Sequence, residues 1–215
     1  MSHFITLVFT KENRRTVEEL LAPYDENIVY APYVQYTREQ AIAKIRKEIE
    51  DYKNGFYAEY LSNPKKYEES HSNVEHINYL KNEFPKKLEW TDDECYEDIK
   101  RSFDEDMVKS NGDLLSIYNP NSKWNWYTIG GRFNNYLKTL SGKTTNEDYV
   151  SKIDWEDILP FAFVTPIGEW HERGKMGWWA CVFNEKATDN WKSEFKEFLG
   201  SLDEDTIVTV VDCHI

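Results

Sequence analysis

Cysteine is scarce in this 215-residue chain: Cys95, Cys181 and Cys213 stand far apart, with no CxxC spacing. That excludes a disulfide framework and a zinc ribbon, and makes a reducing cytoplasm the expected compartment. No apolar run approaches the roughly 18 residues of a membrane helix. The opening MSHFITLVFTKENRR has no basic start and no small-residue cleavage site, so it reads as a strand rather than a signal peptide. HExxH, GxSxG, Walker and EF-hand patterns are all missing, so no strong enzymatic signature is present. Basic residues are also in the minority: 26 Lys and Arg against 39 Asp and Glu give a net charge of −13. This disfavours non-specific nucleic-acid binding through phosphate neutralisation. The lysines are nevertheless too many for a mimic of DNA, which would be acidic with few of them.

Aromatic residues are abundant, with 8 Trp, 14 Tyr and 11 Phe. Such side chains suit a core or a ligand cleft equally. Residues 3–9 are β-branched and aromatic and read as a strand, followed by a helix over 12–22 that Pro23 stops. TREQ at 37–40 and TDDE at 91–94 are capping boxes opening helices. Strands are expected over 161–165 and 178–183, a helix capped by Asp189, and a last strand over 206–213. The expected class is α+β, a ferredoxin-like βαββαβ core with a large helical insertion after the first helix. The core would comprise 1–36 and 110–215, the insertion 37–109. In that order the last strand lies antiparallel beside the first, bringing Cys213 and His214 to His3.

Three stretches carry candidate chemistry. In WNWYTIGGRF, extended backbone puts Trp124 and Trp126 on one side and Tyr127 on the other, and Gly130-Gly131 allow conformations closed to other residues. Trp124, Trp126 and Tyr127 would stack on a planar ligand. Free amides near Gly130 and Gly131, with Arg132, would meet a phosphate. The same stretch also reads as an aromatic strand ending in a bend, needing no ligand. In GEWHERGKMGWW, Glu169, His171, Arg173 and Lys175 make the mixture that acid-base or anion-binding loops use, although such residues in a connecting loop are often only solvated.

The third stretch is the closing VVDCHI. Asp212 and His214 share one strand face and Cys213 takes the other. With His3 they form a potential His-carboxylate cluster able to move a proton, or a metal site on His3 and His214. Cys213 would have His3 as its nearest base if it were a nucleophile. The bland reading is a pair of chain-end histidines and an apolar filler.

The segments MSHF, LAPYDEN, NPNSKWNWYTIGGRF, TPIGEWHERGKMGWW and VVDCHI together resemble a family of proteins encoded mostly by tailed phages and prophages. The likeness touches both ends and the middle of the chain. In that family the middle motif usually looks like WDWY, so Asn125 here stands where an acid is usual, which weakens a catalytic role for that position. The resemblance implies an origin, and by association a part in countering host defence, rather than a reaction or a cofactor. Two readings follow. One is a binding protein that sequesters a nucleotide-type signal or blocks a host defence protein. The other is a small hydrolase or lyase on a phosphorylated substrate, with His171 and His214 as acid and base and Asp212 or Glu169 orienting one of them.

Overall fold

The two strands that organise the fold come from opposite ends of the sequence. A computed structural model describes residues 2–177 and 181–215. In it β1 (His3–Thr10) pairs antiparallel with β6 (Ile207–His214) along their whole length, His3 opposite His214 and Thr10 opposite Ile207. Residues Phe4 to Phe9 are all buried. A strand covered on both faces loses the apolar-polar alternation of a half-exposed one. Ile5, Leu7 and Phe9, with Val208 and Val210, pack under Trp191 and Phe195 of α4 (Thr188–Gly200). On the other face Phe4, Val8, Val211 and Cys213 pack with Leu20 and Leu21 of α1 (Val17–Leu21) and with Trp124.

Helix α1 is shorter than the expected 12–22, because Thr16 and Glu19 form a capping box that fixes its start. Helix α4 starts at Thr188 after an N-cap, Ala187, that makes no side-chain bond, so Asp189 sits in the first turn instead of capping it.

The sheet also contains β2 (Trp126–Ile129), β3 (Glu147–Tyr149), β4 (Ala162–Val164) and β5 (Trp170–Glu172). Its order is β2-β6-β1-β4-β5, with β3 pairing the first part of β6 on the same edge as β2. The class is α+β. The order departs from a ferredoxin-like sheet, in which a split βαβ unit places another strand between the two parallel ones. Here β4 lies directly against β1 in parallel register, and its hairpin partner β5 takes the outside. That hairpin is shorter than the expected pairing of 161–165 with 178–183. The cause is a turn at Thr165–Gly168, closed by the Gly168 amide donating to the Thr165 carbonyl at 2.9 Å, with Gly168 at φ +95°. Val182–Phe183 pairs instead with Lys175–Met176, and the rest of the expected strand, 178–180, lies outside the described residues.

Residues up to 29 together with 118–215 form one compact unit and residues 30–117 another. In the second, α2 (Arg38–Tyr52) and α3 (Asp92–Lys100) open with the capping boxes Thr37/Gln40 and Thr91/Glu94. They meet through Ala41 and Ile45 against Cys95, Tyr96 and Ile99. This unit is not wholly helical: Val29–Tyr36 and Leu114–Tyr118 pair as a two-stranded ribbon.

Candidate functional site

Past Ile5 and Val210 the face covered by α4 turns polar. The alternation of β1 and β6 continues it with His3, Asp212 and His214. Ser2 and Ile215 exchange both backbone hydrogen bonds, at 3.1 and 3.0 Å, so the next pair, His3 and His214, is of the non-hydrogen-bonded kind whose side chains stand closest. Their ring centroids are 4.8 Å apart at 75°.

Each imidazole is tied through Nδ1. His3 Nδ1 bonds Asp212 Oδ1 at 3.0 Å, an ion pair whenever the ring is protonated. His214 Nδ1 lies 2.7 Å from Asn125 Oδ1, and since a carboxamide oxygen only accepts, that nitrogen carries the proton. The other nitrogen of His214, Nε2, is buried with no hydrogen-bond partner, in a residue 2% exposed. Burial, helped by the neighbouring His3, pushes the His214 pKa down, so the ring is neutral near pH 7.

Asp212 has its second oxygen taken as well. The Gly130-Gly131-Arg132 turn, with φ of +71° and +49° at its glycines, aims the Arg132 amide at Asp212 Oδ2, 2.9 Å away. Only glycine fits at 131, where a Cβ would stand 2.5 Å from Asp212 Cβ. The Gly130 amide donates to the Val210 carbonyl. These amides are therefore not free for a ligand phosphate, as the sequence had suggested. The anion this turn holds is the protein's own carboxylate, while the Arg132 side chain remains at the surface.

The three aromatic candidates separate. Trp124 lies before β2 begins, turns to the opposite face of the sheet and is 7% exposed, its Nε1 donating to the Leu21 carbonyl at 3.2 Å. Tyr127 packs edge-on against it at 5.0 Å. Neither is a stacking platform. Trp126 is 44% exposed and lies flat on His214, with centroids 4.6 Å apart at 19°.

Cys213 is no nucleophile. It sits on the far face among Phe4, Val211 and Trp124, away from His3, and burial pushes its thiol up to about 12.

The remaining candidates lie elsewhere on the sheet. His171 on β5 stacks flat on Phe163 at 4.6 Å, and its Nδ1 meets Glu194 Oε1 of α4 at 3.1 Å. Glu194 also bonds Lys186 at 2.7 Å. Partial burial works to raise its pKa, but the bonds from Lys186 and His171 outweigh that and hold it low. Opposite His171, in register across the sheet, come Phe163, Leu7 and Val210. His214 is thus three strands over and four residues along, about 20 Å away at usual strand spacings. The expected acid-base partnership of His171 and His214 is not built. Glu169 is exposed in the β4–β5 turn, Arg173 pairs with Glu185 at 2.7 Å, and Lys175 is exposed. None of these reaches the cluster at the joined chain ends.

Among the described residues no group of three or more His, Cys, Asp or Glu side chains is arranged to hold a metal ion. The expected metal pair of His3 and His214 therefore has no third protein ligand there. The bond between Asn125 and His214, the link from Asp212 to the Arg132 amide, and Glu194 as the partner of His171 escaped the sequence reading. Only the first had a local signal, a polar residue beside Trp126.

No protein-family model, no curated protein and no solved structure matches this chain.

Proposed function

We propose that the chain is a binding protein whose site, at the joined ends of β1 and β6, takes a planar, anionic small molecule of the nucleotide class. The observation that carries this reading is Trp126: one indole face lies on His214, itself buried and bonded to Asn125, while the residue stays 44% exposed. An exposed aromatic ring fixed from behind is a ready stacking surface that loses little freedom when a base settles on it. Arg132 leaves the neighbouring turn at the surface, where its guanidinium can meet a phosphate. Sequestration is favoured over turnover because the residues assigned to acid-base chemistry do not converge. His171 with Glu169 and His214 with Asp212 belong to different ends of the sheet. Set beside the phage-like motifs, the proposed role is to hold a nucleotide-type signal in an infected bacterial cytoplasm. A host defence protein is the alternative partner.

The test is a thermal-shift and calorimetric screen of mononucleotides and cyclic oligonucleotides, followed by chromatography of whatever is released. A ligand that raises Tm and returns intact is the expected result. Trp126→Ala should lower affinity by about 1–3 kcal/mol with Tm retained. Trp124→Ala should instead lower stability by about 3–5 kcal/mol. Binding that survives Trp126→Ala unchanged, or a screen without any shift, removes the reading. Recovery of cleaved product would put the hydrolase in its place.

A further inference from the structure

The orphaned nitrogen of His214 is not explained by ligand stacking, since it lies in a ring already covered by Trp126. A buried acceptor without a partner is a cost that native structures rarely leave standing, and it commonly marks a missing water or ion. Two further observations decide which. Both histidines engage an oxygen acceptor through Nδ1, His3 on Asp212 and His214 on Asn125, and the two rings are directly opposed across a non-hydrogen-bonded strand pair. Imidazoles that ligate a metal through one nitrogen almost always donate the other N–H to a carboxylate or carbonyl, which fixes the tautomer. The ring spacing agrees. With Zn–N bonds of about 2.0–2.1 Å plus about 1.1 Å to each ring centre, two imidazoles at a tetrahedral angle stand about 5 Å apart, against the observed 4.8 Å.

We propose that His3 and His214 hold one borderline divalent ion, of the zinc, nickel or copper type, through their Nε2 atoms. Two imidazole nitrogens suit such ions, whereas magnesium and calcium call for oxygen ligands, and both oxygens of Asp212 are already engaged. Cys213 faces the other way. With two protein ligands the ion keeps open positions for water or an added ligand. Asp212 and Asn125 are positioning residues in this scheme.

The experiment titrates the untagged chain with Cu²⁺ and with Zn²⁺, without nucleotide, so that its outcome is independent of the stacking proposal. The expected result is one saturable site whose Cu²⁺ electron paramagnetic resonance spectrum carries hyperfine structure from two nitrogens. His3→Gln, at the more accessible ring, should leave one nitrogen and weaken binding by about tenfold or more, and Asp212→Asn should weaken it by about 10–100-fold while keeping two. His171→Gln should change nothing. A spectrum unaltered by His3→Gln, or no saturable binding to a folded wild-type chain, overturns the proposal. Because His214→Gln alters a buried ring, it is read only beside a folding check by circular dichroism.

Discussion

One face of a single sheet carries two histidine-carboxylate pairs of nearly equal length, and they are different objects. His3 and Asp212 meet at 3.0 Å with side chains 10% and 2% exposed, whereas His171 and Glu194 meet at 3.1 Å with both about a third exposed. In the first pair the carboxylate is also held by the Arg132 amide and is almost wholly buried. In the second Glu194 is shared with Lys186 and both partners remain wetted. Distance alone does not rank them. What separates them is desolvation, which makes a satisfied buried pair rigid and an unsatisfied one costly.

The largest expected effect follows from removing each carboxylate. Asp212→Ala strands the His3 Nδ1 and the Arg132 amide together and should cost about 3–5 kcal/mol of unfolding free energy in urea. Glu194→Ala removes a screened surface pair and should cost less than about 1 kcal/mol. Similar losses for the two variants would show that burial is not what distinguishes the pairs.

The two ends were not equally legible in the sequence. That His3 meets His214 follows from end strands running antiparallel, and that Asp212 joins them follows from the two-residue period, since both are backbone rules. Glu194 could not be read as the partner of His171, because it depends on how α4 is rotated over the sheet. The parallel placement of β4 beside β1 is likewise a tertiary choice that local pattern does not encode. Trp124 was assigned by alternation to the side of Trp126, but the chain is not yet a strand there, and the indole turns into the opposite core. The Gly-Gly-Arg turn looked like a ligand loop because its amides are of the anion-holding kind. The anion proved to be a residue 80 positions away in sequence.

A smaller effect tests how tightly the buried pair is enclosed. Gly131→Ala drives a Cβ to within 2.5 Å of Asp212 at φ +49°, and should cost about 2–3 kcal/mol. Gly142→Ala, at φ +81° with nothing within 4 Å of its Cβ, bears only the backbone strain, about 1 kcal/mol. In an Asp212→Gly background, which removes the opposing Cβ as well as the carboxylate, the cost at Gly131 should fall toward that at Gly142. Strict additivity in this double-mutant cycle would mean that the turn and the carboxylate do not support each other.

The smallest effect concerns the exposed pair and acid. The Glu194 pKa is held low in the folded chain, so around pH 4 the unfolded chain binds more protons at this position than the folded one. Its stabilisation is therefore complete above the ordinary glutamate pKa of about 4.3 and fades as pH falls below it. Solvent at a third exposure screens the bonds from Lys186 and His171, which limits the whole contribution to under about 1 kcal/mol. Unfolding free energies measured between pH 3 and pH 6 should accordingly fall less steeply toward acid in Glu194→Gln than in the parent chain, since Gln has no proton to take up. Other carboxyls held low, such as Asp148, titrate in both chains and cancel in the difference. Parallel curves would show that the contact with His171 adds nothing to stability, leaving the flat stack of that ring on Phe163 as what holds it in place.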